Sequence, residues 1–312
     1  VFRSSDNGDQ WVWSGSGLPN GTQVRSLAVD GAVMYAGLSS RVYKSTNGGD
    51  TWSLSGSGIP NTTVSAVFVF NASIFAGTGF GLYRSTNAGN IWELDTAGLG
   101  DNAFGVFSFA AIGSTIFAGT SSGGVYRSTN NGDSWIQTNS GLTSLFVNNL
   151  AVVNGVLLAG TQLNGVFRST DNGASWSGGQ SLVTLALAVI GNDAFQATLS
   201  GVMRSTDNGA TWNSANSGIP PTNNTRSLGV LGATLFVGMG NNGDKGGVYR
   251  STDLGGTWVE KNTGYINTQV LTLLKPNATT LFAGNADGGL YRTTNNGTTW
   301  TFIRNFGTGV TS

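Results

Sequence analysis

The stretch Ser45-Thr46-Asn47-Gly48-Gly49-Asp50-Thr51-Trp52 recurs along the whole chain with small changes. Segments of this kind, called turn motifs below, begin at Ser4, Ser45, Ser85, Ser128, Ser169, Ser205, Ser251 and Thr293, and each ends in Trp. Successive motifs start 36 to 46 residues apart. A period near forty is the sequence signature of an array of structural repeats.

Each repeat contains four short apolar runs separated by Gly and Asn, which predict four β-strands. In the repeat that contains the third motif the runs are Val64–Phe70, Ser73–Gly77, Gly81–Ser85 and Trp92–Asp95. The first two are almost continuously apolar, as buried strands are, and the last is more polar and is expected outermost. Four strands in forty residues make one propeller blade. We therefore predict an all-β propeller that forms a single domain over residues 1–312.

Equivalent positions of the eight turn motifs, called columns below, have structural explanations. The third residue is always Asp or Asn, whose side-chain oxygen can accept a hydrogen bond from the turn backbone. The fifth is always Gly, as expected where the backbone needs a positive φ. The closing Trp is large enough to fill the wedge between neighbouring blades. The basic residue just before each motif is interpreted as a hydrogen-bonding or ion-pairing group at the blade edge.

The pattern S/T-x-D/N-x-G-x-S/T-W on this period resembles the Asp-box, or BNR, repeat family over essentially the whole chain. That family includes sialidases, sortilin-type receptors, xyloglucanases and photosystem II assembly factors. The resemblance therefore implies a fold and leaves the function open.

The number of blades follows from the chain ends. Residues 12–305 hold seven complete repeats, whereas residues 1–15 encode only the last two strands of another. We predict eight blades, one of them incomplete, with seven blades and a peripheral hairpin as the alternative. An incomplete blade would leave unpaired strand edges that another segment or subunit could cover, which predicts self-assembly.

Composition excludes several kinds of chemistry. The 312 residues contain no Cys and no His, so thiolate metal sites, disulfides and Ser/His/Asp or Cys/His nucleophiles are impossible. The formal net charge is zero and most basic residues belong to one repeated column, so no nucleic-acid surface is expected. No apolar stretch is long enough to cross a membrane. We expect no cofactor and no metal site.

Enzyme hypotheses find little support in the remaining residues. Because half of the third-position residues are Asn, that column cannot perform acid–base chemistry as a set. The Asp-box resemblance would imply, for a sialidase, an Arg trio, a Tyr–Glu pair and an F/Y-R-x-P signature, and the signature is missing. Glu93 and Glu260 are the only Glu residues, and both follow a motif Trp on an outer strand. A xyloglucanase-like hydrolase would need two facing carboxylates, for which loop residues Asp101, Asp244 and Asp287 are candidates.

The face opposite the turn motifs carries the more variable loops, where a binding site is most expected. Aromatic side chains there, with neighbouring Asn and Asp, could stack on and hydrogen-bond to a sugar or a peptide. The alternative is that these aromatic residues pack under their own loops or plug a central channel. The candidate binding residues are Phe80, Asp101, Asn102, Phe104, Phe146, Asn241, Asn242, Asp244, Tyr265 and Asp287.

The sequence as a whole favours a non-catalytic bacterial propeller, secreted or at the cell surface. It would bind a protein or glycan partner or serve as a structural unit of an extracellular assembly. A glycoside hydrolase of xyloglucanase or sialidase type is the alternative.

Overall fold

The structure is a computed structural model. It describes residues 2–3, 12–13, 16–19, 23–95, 97–100, 105–220, 225–240, 246–263, 270–275, 279–285 and 289–305. These residues form strands, turns and loops and no helix. The all-β prediction is therefore confirmed.

Seven four-stranded antiparallel sheets, here called blades, follow one another along the chain, and each is formed by four consecutive strands. The first three blades are β3 to β6 (Val24–Asp30, Val33–Leu38, Val42–Ser45, Ser53–Leu54), β7 to β10 (Val64–Phe70, Ser73–Thr78, Gly81–Ser85, Glu93–Asp95) and β11 to β14 (Val106–Ile112, Thr115–Thr120, Val125–Ser128, Ile136–Gln137). The fourth and fifth blades are β15 to β18 (Val147–Val153, Val156–Thr161, Val166–Ser169, Ser177–Gly178) and β19 to β22 (Ala186–Ile190, Asp193–Thr198, Gly201–Ser205, Asn213–Ser214). The last two are β23 to β26 (Thr225–Leu231, Thr234–Met239, Gly247–Ser251, Val259–Glu260) and β27 to β30 (Val270–Leu274, Leu281–Asn285, Gly289–Thr293, Thr301–Asn305).

The prediction of eight blades is wrong, and the alternative of seven is right. The first residues of the chain contribute only β1 (Phe2–Arg3) and β2 (Val12–Trp13), which pair antiparallel as a separate two-stranded sheet. The physical reason is that this segment encodes a hairpin without the two apolar strands that begin every blade. The turn motif between β1 and β2 lies outside the described residues.

Contacts divide the chain into two compact units. The first comprises residues 1–3, 11–152 and 169–177, and the second comprises residues 4–10, 153–168 and 178–312. Every contact between blades described below lies within one of these units.

The second blade shows how the sequence produces the predicted strands. Its strand order is β10-β9-β8-β7, so the polar strand β10 lies at the edge, as predicted. All six residues of β8 are buried, which explains why that run is almost continuously apolar. The predicted and observed bounds of the four strands differ by at most one residue.

The turn motifs are closed by their own side chains. In the seven described motifs the first-position hydroxyl accepts a hydrogen bond from the N–H of the fifth-position Gly, at 2.7–2.9 Å. The third-position Oδ1 accepts one from the backbone N–H of the seventh residue, at 2.8–3.0 Å. The Gly residues have φ between 75° and 91°. The predicted roles of the Asp/Asn and Gly columns are confirmed.

The basic column binds the turn motif of the following blade. Lys44 donates to the carbonyl of Ala88 and to the Asn90 side chain, 2.7 Å away. Arg127 donates to the carbonyl of Asn172 at 2.9 Å. These side chains therefore connect successive blades, which confirms the structural interpretation. Arg204 differs, because it pairs with Asp193 in its own sheet at 2.7 Å.

The closing Trp and the linker between blades form a second connection. Trp92 is 2% exposed, and its Nε1–H donates to the carbonyl of Ser55 in the preceding blade at 2.7 Å. Its backbone N–H donates to the carbonyl of Ser57 at 2.8 Å. Gly58 follows with φ +111°, and a Cβ there would lie 1.8 Å from the Trp92 carbonyl oxygen. The predicted wedge role of Trp is confirmed, and the linker Gly is required by backbone contact.

We expect Gly58→Ala to destabilise the protein far more than Gly113→Ala. Both residues have positive φ, but a Cβ at Gly113 meets nothing within 4 Å. Gly113→Ala should therefore cost only the left-handed backbone penalty of roughly 1–2 kcal/mol. Gly58→Ala adds a backbone collision and should cost more than about 3 kcal/mol or prevent folding. Urea unfolding of both variants checks this, and equal losses would contradict the argument.

Candidate functional site

Two of the predicted binding residues, Phe80 and Phe146, belong to the described part of the chain. The other predicted site residues lie outside it: Asp101, Asn102, Phe104, Asn241, Asn242, Asp244, Tyr265 and Asp287. The structure therefore describes the predicted binding face only around these two aromatic residues, and the binding role stays a prediction.

Phe80 occupies the turn between β8 and β9 and is 61% exposed. The turn itself is well held, because the backbone N–H of Phe80 donates to Thr78 Oγ1 at 3.1 Å and that hydroxyl donates to the carbonyl of Gly81. The loop is thus fixed while its aromatic ring faces solvent. The alternative that Phe80 packs under its own loop is wrong.

Phe146 stacks on Phe107, a residue that the sequence-based prediction missed. Their ring centroids are 5.6 Å apart and the ring planes differ by 13°. Phe107 is 37% exposed, and Phe146 is partly buried. Since Phe107 belongs to β11 and Phe146 immediately precedes β15, the stack joins the first strands of neighbouring blades.

A β-bulge aims Phe107 out of its sheet. Val106 pairs with Thr120 and Ser108 with Gly119, so Phe107 has no opposite residue in the ladder. Bulges re-aim side chains in this way. The equivalent bulge residue is Arg25 in the first blade and Ser65 in the second, both polar side chains. The same position holds Arg226 in the sixth blade and Leu271 in the seventh, so the column is not uniformly polar and the only signal in the sequence was an aromatic residue among these bulge positions.

Leu145 extends the apolar surface beside the stack, with 41% of its side chain exposed. Its carbonyl accepts a hydrogen bond from the Gly124 N–H at 2.9 Å, which ties it to the preceding blade. Phe107, Leu145 and Phe146 are called the aromatic patch below. The patch lies at the end of the sheets where β12 turns into β13, opposite the turn motifs, as does the Phe80 turn in its own blade.

The Asp residues of the turn motifs are unsuited to acid–base chemistry. Hydrogen bonds from the seventh residue of the motif lower the pKa of Asp171, Asp207 and Asp253 to about 2. In Asp207, Oδ1 accepts from the Thr211 N–H and Oδ2 from the Thr211 hydroxyl at 2.6 Å. Where Asn stands in place of Asp, the hydrogen bond between the two side chains runs in the other direction: the Asn47 amide donates to the Thr51 hydroxyl at 2.9 Å. This reversal explains why Asp and Asn alternate freely in the column.

The pKa of Asp95 is shifted upward, opposite to the pKa values of the motif Asp residues. Burial raises its pKa to about 6, against a hydrogen bond from the Trp135 Nε1–H at 2.9 Å and the nearby charge of Arg84, which lower it. The sequence-based prediction missed Asp95, although it follows a motif Trp at the position held by Ser55 and Thr138 in other blades. Glu93 and Glu260 lie exposed on outer strands, as predicted.

Among the described residues, no group of three or more Asp, Glu, His or Cys side chains is placed to hold a metal ion. The same residues include no helix of the length and apolarity that a membrane crossing requires.

These blades are those of a β-propeller. The chain belongs to the family of the DUF6242 beta propeller domain, whose model matches residues 1–197 and 186–308. No curated protein sequence is significantly similar to it.

Several solved structures share the fold at low sequence identity. The extracellular domain of BT4673 from B. thetaiotaomicron is 14% identical with a TM-score of 0.67, over 86% of this chain and 38% of that one. An ancestral GH74 enzyme is 19% identical with a TM-score of 0.64, over 98% of this chain and 48% of that one. YCF48 bound to D1 peptide is 18% identical with a TM-score of 0.51, over 69% of this chain and 74% of that one. The chain thus spans less than half the length of the first two.

We expect Asp207→Asn to be tolerated and Asp207→Ala to be destabilising. The Thr211 hydroxyl can accept from an Asn amide, whereas Ala leaves the Thr211 N–H and the Ser205 hydroxyl without their acceptor. The Ala variant should lose about 1–3 kcal/mol. The folded-state pKa of Asp207 is depressed, so ionised Asp207 adds to the free energy of unfolding relative to Asn at this position. That contribution is present above pH 4 and lost as the pH falls through about 2. Urea unfolding at pH 7 and pH 2.5 checks both statements; an Asn variant as unstable as the Ala variant would contradict the first.

Proposed function

We propose that this chain is a non-catalytic propeller, secreted or exposed at a bacterial cell surface, that binds a protein or glycan partner through the face opposite the turn motifs. The observation that carries the proposal is the stack of Phe107, which is 37% exposed, on the partly buried Phe146 at the start of two neighbouring blades. A rigid aromatic surface of this kind suits sugar rings and apolar peptide side chains. The turn motifs serve as Asp-box repeats that hold the face in place.

Two relatives in fold support the proposal. The BT4673 domain is extracellular and comes from a bacterium. YCF48 was solved with a peptide bound, so a propeller of related architecture accommodates a polypeptide segment. The aromatic patch is the described surface to which we assign such a role, and Phe80 lies in the corresponding turn of the second blade.

Removal of either aromatic ring should weaken binding. Ligands selected from a glycan array and a random-peptide library would be titrated against wild type, Phe107→Ala, Phe146→Ala and the control Ile136→Ala. Ile136 is 62% exposed on β14 and lies outside the patch. Loss of a central aromatic contact should weaken binding about tenfold or more. Unchanged affinity in both Phe variants, or no ligand from either source, would refute the assignment.

A glycoside hydrolase is the second candidate, favoured by the likeness to the GH74 enzyme. It would use two loop carboxylates from among Asp101, Asp244 and Asp287, one as acid and one as base or nucleophile. Screening a polysaccharide panel with wild type and with each Asp→Asn variant tests this. We expect no hydrolysis by the wild type. Turnover that one of the three variants abolishes would replace the binding proposal with the hydrolase.

A further inference from the structure

A cleft lies between the outer strand β10 of the second blade and the turn motif of the third blade. Its volume is about 320 Å³, and it is open to solvent. From the second blade it is lined by Ile91, Glu93, Leu94 and Asp95, and from the third blade by Asp133. The wall of the cleft therefore combines apolar side chains with three carboxyl groups.

The cleft carries an excess of negative charge. Among the described residues that line it, Arg84 is the one basic residue, and its guanidinium pairs with Asp133 at 2.6 Å. Glu93 is exposed on β10. Within the described part of the chain, the Asp95 carboxyl accepts one hydrogen bond, from the Trp135 indole to Oδ2 at 2.9 Å. Glu93 and Asp95 therefore retain acceptor oxygens that a ligand in the cleft can reach.

The repeat itself does not require carboxyl groups at the positions of Glu93, Asp95 and Asp133. Uncharged residues occupy the equivalent positions at the two neighbouring pairs of blades: Ser53, Ser55 and Asn90 at one pair, and Ile136, Thr138 and Ala174 at the other. The motif Trp residues there still bond to the preceding blade, through backbone carbonyls. The three carboxyl groups are thus a property of this cleft and not a requirement of the fold.

Exposed apolar side chains border the carboxyl groups. Ile91 is 52% exposed and Leu94 is 48% exposed, and Leu94 stands between Glu93 and Asp95 in the chain. A Lys or Arg side chain has an aliphatic stem that packs on apolar surface and a cationic head that bonds to carboxylates. The cleft therefore matches both parts of one basic side chain.

The strand beside the cleft can also bind a polypeptide backbone. Because β10 is the end strand of its sheet, no strand of the described residues pairs with its outer edge. Alternate residues of such an edge direct their N–H and C=O groups outward, where an extended segment can pair with them. A polypeptide can thus use the strand edge and the carboxyl groups together, whereas a free amine can use only the carboxyl groups.

We propose that the cleft between the second and third blades binds an extended segment of a partner polypeptide through one of its Lys or Arg side chains. The cationic head bonds to Glu93 and Asp95, and the aliphatic stem packs on Ile91 and Leu94. The segment itself runs along β10. This site is separate from the aromatic patch, because turn-motif residues line the cleft and the patch lies at the opposite end of the sheets.

Peptide titrations followed at the Trp135 indole test this site. The probes are the acetylated and amidated peptides Thr-Val-Lys-Val-Thr and Thr-Val-Arg-Val-Thr, with norleucine in the central position as the uncharged match. They are titrated into the whole chain at pH 7.5 and followed in ¹H–¹⁵N spectra. The Trp135 Nε1–H, which bonds to Asp95, is the reporter and is assigned by its loss in Trp135→Phe. We expect the Lys and Arg peptides to shift this signal and to bind about tenfold more tightly than the norleucine peptide, because only they form a charge pair with the cleft.

Matched variants separate the two carboxyl groups from general charge effects. The double variant Glu93→Gln, Asp95→Asn should remove the preference for Lys over norleucine, while Asn at this position can still accept the Trp135 hydrogen bond. Asp95→Ser, which places there the residue type found at Ser55, replaces Asp95→Asn if that variant does not fold. Leu94→Ser should weaken the Lys and norleucine peptides alike.

Two control variants should leave every affinity unchanged. Glu260→Gln removes an exposed carboxylate from the outer strand β26, and Phe107→Ala removes a ring of the aromatic patch. The proposal is overturned if the Lys and norleucine peptides bind equally, if the folded double variant keeps the preference for Lys, or if no peptide shifts the Trp135 signal at millimolar concentration. Spermidine is titrated as the free amine, and its binding without that of the peptides would overturn the assignment to a polypeptide.

Discussion

The contact between a motif Trp and the blade before it is the interaction on which the rest of this structure depends. A four-stranded sheet of two- to seven-residue strands buries too little surface to be stable alone. Trp92, Trp176 and Trp258 fill the space beside the preceding sheet, and their indole and backbone N–H groups bond to the end of that sheet and its linker. The linker Gly, without a Cβ, permits the approach. The blades therefore stabilise one another in sequence, as in other repeat proteins.

The turn motif makes this contact reproducible. Its hydroxyl and its Asp or Asn side chain satisfy the turn backbone locally, so the Trp leaves the hairpin in the same direction in every blade. The basic residue before the motif then reaches the turn of the next blade in several blades, whereas Arg204 pairs within its own sheet. Both Asp and Asn accept the hydrogen bond from the backbone N–H of the seventh residue. The third position of the motif therefore accepts either residue, and its side chain is occupied in holding the turn.

Individual blades differ from one another at single positions while the scaffold remains intact. Phe107 places an aromatic ring at a bulge that other blades fill with Arg25, Ser65 or Leu271, and the Asp95 side chain accepts an indole hydrogen bond that a backbone carbonyl accepts in three other blades. Both changes leave strand register and turn geometry as they are in other blades. A regular scaffold can thus carry an exposed aromatic stack and a carboxyl group at a blade junction without a change of fold.

The strand bounds of the second blade and the roles of the motif columns were predictable from the sequence, because they rest on contacts within one hairpin or on alternation within one strand. The sequence by itself determined this local architecture. Only the tertiary structure decided that the first hairpin remains a two-stranded sheet, that Phe107 meets Phe146 and that Trp135 meets Asp95. Those contacts join residues about forty positions apart on neighbouring blades, and their geometry depends on how one sheet packs against the next.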